Sequence, residues 1–494
     1  MSLKKIFVSI LVFYFLIFLI LPHTEYQPAD PGIKILQIKD FILSGYSNFF
    51  ASYLGRELDP SLTFFPTKPP FGYIVADNPY YVFPFFVTIA YTPFYLLGGI
   101  YALDLLSLIS GLLIVFLLYK ISNLLEMSET FQKSMILFLG FGSINSIYSF
   151  MFGESIHASL FITFAFYLIL KTRSTPNSFY FLIAGLISGL SVLFRIELAF
   201  FCFLFLLGIF IFQMYKSKLD LILLCVGFGI PAFVLIIANY KVTGNILGLR
   251  GIEFLNYSGA SYPIEKRLFN LVKALFVSDK GLGLFTAWPV FLFLIPYFSK
   301  FKMWKEKKEL NFILFVSIVF SLLIPLIVKN DDGSILGPRF ASSVQPLLIV
   351  GTFYSIQLLA DQSILSKWIS KLSYFIYYSI AVTILGYIIL FFFLKASHKM
   401  NIEIDKKISG EVIFISKPDY FSLVFPSVYR KPILSVDSEE EFHKFCKNNR
   451  TKIPNMISIV TSNPKYDIST ELEYKLVDSF SSNGIHVYNF KSAN

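Results

Sequence analysis

Along most of the chain, apolar residues run in blocks of about twenty, the length of a bilayer crossing, with short polar breaks between them. The first block, residues 6–21, follows Lys4 and Lys5, which fits either a signal peptide or a first span with its N-terminus inside. Further blocks downstream and the lack of a small-residue cleavage site favour a span. From His23 to about Tyr81 the pattern breaks: Asp30, Lys34, Lys39, Asp40, Arg56, Glu57, Asp59, Lys68 and Asp77 mix with aromatics and prolines. Such a stretch predicts a long external loop, too aromatic for a disordered linker. Residues 82–120 then hold one full span near 100–120, preceded by a broken apolar stretch that lies at the interface or extends the same helix. Further spans are expected at 134–152, 156–170, 179–194, 197–214, 219–238, 284–299, 310–328, 341–360 and 373–394.

Cations beside the short loops set the orientation. Lys171 and Arg173, Lys216 and Lys218, the cluster Lys300, Lys302, Lys305, Lys307 and Lys308, and Lys367 and Lys371 all fall inside if the N-terminus is inside. With about eleven spans, the segment after the last one then lies outside. From about Ser397 the hydropathy drops, and β-type runs appear at Glu411–Ser416, Pro432–Val436, Asn455–Thr461 and Ile485–Phe490. Between them DSEEEFHKFCKNN reads as an amphipathic helix opened by an Asp or Ser cap. The expected architecture is therefore an α-helical polytopic membrane protein with a large first external loop, about residues 23–81, and a small C-terminal α/β external domain. The transmembrane domain would cover residues 1–396 and the external domain 397–494.

Composition agrees. Of 494 residues, 55% are hydrophobic and 15% charged, with a mean hydropathy of +0.66, far too apolar for a soluble protein of this size. The 58 Phe and 29 Tyr suit side chains facing acyl tails or headgroups. A net charge of +10 is scattered over short loops and is read as topology, not as a nucleic-acid surface. Cys202 and Cys225 lie in apolar runs and Cys446 stands alone in the polar tail, so neither a disulfide framework nor a cysteine metal site is supported.

The polar residues that interrupt this pattern are the candidates for chemistry. Asp30 precedes Pro31 and an amphipathic helical stretch, so it is placed to cap a helix and equally to deprotonate a hydroxyl nucleophile at the membrane surface. Glu154 and His157 open a span three residues apart and so share one helix face. The helix dipole favours a carboxylate there, while ionisable groups at the edge of lipid usually have a partner or a purpose; one Glu and one His fall short of a zinc set. Arg195 and Glu197 are the only polar point in a long apolar run and predict the outer turn of a helical hairpin. They either pair with each other or leave Arg195 facing an anionic headgroup. In KNDDGSILGPRFASSVQPLL, Gly337 and Pro338 lead into a span whose first turn carries Arg339. A cation there opposes the helix dipole, which favours anion binding over a helix-stabilising role. Asp331 and Asp332 form either a solvated turn or a place for a divalent cation. Lys68, before two prolines in FPTKPPFGY, is an ordinary loop lysine or a phosphate contact.

Taken in order, these pieces resemble the GT-C glycosyltransferases of bacterial membranes, which use polyprenyl-phosphate-linked sugars as donors. The resemblance rests on Asp30 soon after the first span, Glu154 after the third, GLISGLSVLFRIE, KGLGLFTAWPVFLFLIPYF, and GPRFASSVQPLL before a late span. It implies a GT-C-like fold, with Asp30 as catalytic base, Glu154 as the second acidic residue, and Arg339 and Arg195 as ligands of the lipid phosphate. Lys68 in TKPP is similar to a phosphate-contacting Lys-Pro-Pro segment in the aminoarabinose and mannosyl branches. Asp30 is followed by Pro-Gly where the family has a second acid, and no sequon-reading motif is apparent, which disfavours the oligosaccharyltransferase branch.

The implied reaction is an inverting hexosyl or pentosyl transfer from a polyprenyl-phosphate sugar to a glycan, lipid or protein hydroxyl, outside the bacterial inner membrane. Polyprenyl phosphate is a good leaving group, so cations that stabilise it and one base for the acceptor suffice. No cofactor is implied beyond a divalent metal as an option. A lipid-sugar flippase would be expected to show internal repeats and polar mid-span residues, which this chain lacks; an O-antigen polymerase or ligase is the nearer alternative.

Overall fold

A computed structural model describes residues 2–27, 30–252, 263–278, 281–299, 307–327, 339–362, 370–464 and 474–492. Among these, seven helices are long and apolar enough to cross a membrane, and three shorter apolar helices, Phe179–Phe194, Leu198–Ile211 and Pro289–Phe298, fall on three more of the expected spans. The span expected at 134–152 is two helices, α4 (Glu129–Phe141) and α5 (Ile144–Tyr148), interrupted at Gly142 and Ser143.

The chain forms two compact units, Met1–Leu21 with Leu97–Leu390 and Pro22–Leu96 with Phe391–Asn494. In α3 (Phe85–Leu124) the helix breaks where Gly98 is non-helical and Gly99 takes φ +58°, a conformation that needs glycine. This break stands beside the unit boundary at Leu96/Leu97. Residue 396, near which the domain boundary is expected, and the second division between the units, Leu390/Phe391, both lie inside one helix, Leu372–Lys407. Those 36 residues span about 54 Å, well beyond the hydrocarbon core of about 30 Å. After Gly386 no Gly or Pro occurs until Gly410, so nothing stops the helix where its hydropathy fades.

In the helical unit, α1 (Leu3–Ile20) buries one stripe, Ile6, Ile10 and Tyr14, at the i, i+4, i+8 spacing of a helix face. Ile10 fills the notch left by Gly140 of α4, where a Cβ would stand 2.5 Å from it. Only 17% of the apolar stretch of α1, and of α9 (Lys218–Thr243), is buried, as expected of helices that face lipid. Helix α7 (Phe179–Phe194) meets α9 through small residues. A Cβ at Gly185 would lie 2.2 Å from Leu224 O, and one at Gly227 would lie 2.3 Å from Leu182 O. Gly185 and Gly189 form a G-x-x-x-G pair that lets the two backbones touch, the usual solution when no water drives helices together.

Two hydrogen bonds orient the later helices, one exposed and one buried. Gln357, near the end of helix Gln345–Asp361, accepts from the Ser128 backbone N–H at 2.9 Å, and Gln345 at its start accepts from Asn145 at 3.2 Å. This helix therefore runs antiparallel to α4. At the end expected to lie inside, Arg173 meets Glu309 and Lys308 reaches Gln213; of the basic cluster, residues 300–306 lie outside the described residues. Between α9 and Leu284 the hydropathy predicts no span. There helix Ile264–Leu275 leaves Ile264, Leu268, Phe269 and Val272 exposed alongside Lys266, Arg267 and Lys273, the amphipathic pattern of an interfacial helix.

The second unit carries the C-terminal sheet, in the order β6-β5-β7-β9-β8. Strands β5 (Val412–Ile415), β6 (Ile433–Ser435), β7 (Met456–Thr461) and β9 (Ile485–Ser492) fall on the four expected runs. Helix Glu439–Asn448 forms the crossover from β6 to β7, capped by Ser438, and those strands run parallel to β5 while β9 is antiparallel. The edge strand β8 (Tyr474–Ser482) was not expected: its Leu476 and Val477 are exposed, so it lacks the alternation that marks a half-buried strand.

The first loop belongs to this same unit. Leu58 joins the core of Phe414, Leu434, Phe442 and Ile457, with Phe64 packed against it, and the Phe64 carbonyl accepts from Ser435 N at 2.8 Å. The loop is ordered by α2 (Asp30–Leu43) and the hairpin β1 (Gly72–Val75) and β2 (Asn78–Tyr81). The amphipathic reading of α2, with Ile33, Leu36 and Ile38 set against Lys34, Gln37 and Lys39, needs correcting in part: Lys34 and Gln37 are as buried as the three apolar residues, and only Lys39 stays half-buried. Lys34 stands over the Phe83 ring at 4.5 Å and Gln37 donates to Phe83 O at 3.2 Å, so its polar side is covered by the loop's own return.

Candidate active site

In the helical unit, α6 (Glu154–Lys171) begins at Glu154, with Gly153 as its cap and both Glu154 and His157 buried. The His157 ring hydrogen-bonds Gly153 O at 3.0 Å through Nδ1 and stacks on Phe194. Arg195 follows α7 in extended backbone. It donates from Nε to Glu197 at 2.7 Å, pairs with the same carboxylate through Nη2 at 2.5 Å, and donates from Nη1 to Ser155. Both side chains of the pair are buried, and a buried charge of this kind persists only with such partners. The turn between α7 and α8 (Leu198–Ile211) is thus stitched to the first turn of α6, and three sequence-predicted residues, Glu154, His157 and Arg195, gather at one end of this unit.

Arg339 is half-buried and precedes the 3₁₀ turn Phe340–Val344, which packs against α6. Gln345 after this turn bonds Asn145, to which Ser159 of α6 also donates at 3.5 Å. That chain ties the entry of helix Gln345–Asp361 to the second turn of α6, just below Glu154. Gly337, Pro338, Asp331 and Asp332 lie outside the described residues. Sequence reading passed over Arg250, which acts electrostatically on Glu197 beside Arg195. It lies in a stretch with neither a hydropathy break nor a cluster of like residues to mark it. Among the described residues no group of three or more His, Cys, Asp or Glu is gathered as a metal site.

In the sheet-bearing unit, Asp30 is the half-buried first residue of α2, where the dipole favours its negative charge. Lys68 is paired with Asp437 at 2.6 Å. Two carboxylates unmarked by sequence reasoning are held in the same unit. Glu25 accepts from Lys39 at 2.6 Å and from the Tyr95 hydroxyl. Asp40 accepts from Ser52 N at 3.0 Å, while its Oδ1 is buried with no hydrogen bond. Burial pushes the Asp40 carboxyl up to about 6, against hydrogen bonding from Ser52 and the charge of Lys39. Neither carboxylate stands in a recognisable motif, so only its surroundings distinguish it.

These features define a polytopic α-helical membrane protein of GT-C fold, with a small sheet-bearing domain. The fold is similar over its whole length to that of ArnT from Cupriavidus metallidurans bound to undecaprenyl phosphate, with a TM-score of 0.59 and 11% sequence identity; 99% of this chain and 98% of that chain are covered. The same protein in the apo state gives a TM-score of 0.59 at 12% identity, with the same coverage. An oligosaccharyltransferase from Archaeoglobus fulgidus tethered to an acceptor peptide aligns over 92% of this chain and 68% of its own, at 13% identity and a TM-score of 0.49. No family model matches the sequence, and no curated protein matches it.

Proposed function

We propose that the protein transfers a sugar from a polyprenyl-phosphate-linked donor to an acceptor hydroxyl on the outer face of the bacterial inner membrane. The observation that carries this reading is the whole-length likeness to a structure holding undecaprenyl phosphate, joined to an acidic residue that opens a helix soon after the first span.

In the proposed reaction Asp30 accepts the proton of the acceptor hydroxyl as its oxygen attacks the anomeric carbon. The carbon–oxygen bond to phosphate breaks, polyprenyl phosphate leaves, and the single displacement inverts the anomeric centre. Arg339 stabilises the phosphate released. Glu154 is the second acidic residue. Arg195 already engages Glu197 and Ser155, so its contribution to phosphate binding includes holding the α7–α8 turn against α6. Lys68 would reach a phosphate only by leaving Asp437, and ranks behind the two arginines.

Mass spectrometry of surface glycans and lipids in a deletion strain tests this reading. One sugar should be missing, restored by the wild-type gene and not by Asp30→Asn, which keeps the size of the side chain and removes the base. Full restoration by Asp30→Asn would refute the base assignment, and an unchanged glycan and lipid profile in the deletion strain would refute the transferase.

A further inference from the structure

Within the sheet-bearing unit a cavity of about 280 Å³ opens between the turn after Thr67 and the 3₁₀ helix Pro418–Ser427. That is near the lower end of the range of about 300–1,000 Å³ for small-molecule sites, room for one ring and not for a chain. Its floor is apolar, with Ile33, Phe421 and Phe425 all buried. Asp419 and Ser422 bring polar groups to its lining. Thr67 also lines it; the side chain is 6% exposed and its hydroxyl has no hydrogen-bond partner in the protein. An unmet buried hydroxyl is costly, and Thr67 is held in place because Gly72 comes so close that a Cβ there would stand 2.4 Å from Oγ1.

The charge balance argues against an anion. Among the described residues the one cation lining the cavity, Lys68, is neutralised by Asp437, and Asp419 adds a further negative charge. An apolar floor with aromatic rings, hydroxyl partners and no net positive charge suits a neutral sugar ring, whose C–H face packs on the floor while its hydroxyls meet the polar groups. Position then separates acceptor from donor. Ile33 of the floor is one helical turn from Asp30 and shares its face of α2, and the base acts on the acceptor.

We propose that this cavity holds one neutral sugar ring of the acceptor, which makes the acceptor a glycan; this rests on the transferase reading above. The test uses the full-length protein in nanodiscs and saturation-transfer NMR with a panel of neutral methyl glycosides, together with Thr67→Val, which preserves shape, and Ser422→Trp, which fills the cavity. At least one methyl glycoside should bind. Its affinity should fall about tenfold in Thr67→Val, the effect of one lost hydrogen bond, and vanish in Ser422→Trp, with inorganic phosphate failing to compete. Binding by no glycoside, undiminished binding in both variants, or competition by phosphate would overturn the assignment. In cells, Ser422→Trp should fail to restore the sugar missing from the deletion strain. Full restoration would sink the acceptor cavity and leave the transferase standing. An unchanged deletion strain with intact glycoside binding would do the reverse, leaving a sugar site without the transfer reaction.

Discussion

The buried carboxylate of Asp40 makes stability depend on pH in an unusual direction. Its carboxyl is raised from 3.8 to about 6, so the folded unit holds this proton more tightly than the unfolded chain. Below the ordinary value both states are protonated and Asp40 costs nothing. As pH rises through about 6 the folded state must carry a buried charge, and the stability present at low pH is lost. A shift of about two units corresponds to about 3 kcal/mol at about 1.4 kcal/mol per unit. Asp40→Asn removes the charge while its carbonyl still accepts from Ser52 N, so at pH 7.5 the variant should be more stable by about 2 kcal/mol, allowing for a weaker neutral hydrogen bond. At about 2–4 °C per kcal/mol for a unit of this size, Tm should rise by about 4–8 °C at pH 7.5 and by no more than about 1–2 °C at pH 4, where the unfolded chain has only begun to lose the proton. Thermal unfolding of both proteins in the same detergent, read at several pH values, decides it. A Tm difference that is the same at pH 4 and pH 7.5 would refute titration of Asp40 as the cause.

Arg339→Ala should weaken donor use, raising the KM for the polyprenyl-phosphate sugar at least tenfold by loss of a charge-assisted contact worth about 1.5–3 kcal/mol; an unchanged KM would remove Arg339 from phosphate binding. Glu197→Gln should leave Arg195 buried without its carboxylate, at a cost of about 3–5 kcal/mol, seen as loss of folded protein in size-exclusion chromatography. A fully stable variant would mean that Arg250 and Arg195 are not held by this carboxylate. Gly185→Leu should force α7 from α9, since even a Cβ stands 2.2 Å from Leu224 O, and crosslinking between cysteines placed on these two helices should fall; retained crosslinking would contradict the close packing.

The spans were legible because lipid selects long apolar runs regardless of what they pack against. The ends of α7 at Phe179 and Phe194 coincide with the predicted run, since Arg195 and the polar residues before Phe179 bracket it. What hydropathy does not encode is whether a helix stops. Leu372–Lys407 continues past its last apolar residues because Lys399 to Lys407 contain good helix formers, so the division between the two compact units, Leu390/Phe391, comes inside a continuous helix. The sheet strands were legible for the same local reason, β8 excepted. The union of the first loop with that sheet was not, because it depends on contacts such as Phe64 with Phe445 and Ser435 between segments more than three hundred residues apart.

The candidate site divides along the same line. Asp30, Glu154, Arg195 and Arg339 stood out because a charge in or beside an apolar run is costly and therefore conspicuous. Asp40 and Thr67 did not, since in a polar loop a carboxylate or a hydroxyl is ordinary until its neighbours cover it. The Lys68 to Asp437 pair carries this furthest. In sequence Lys68 is a spare cation fit for phosphate; paired across 369 positions it is a neutralised wall. The same residue thus argues for an anion site when read alone and for a neutral-sugar site when read with its partner, so the ligand assigned to this part of the unit turns on that one contact.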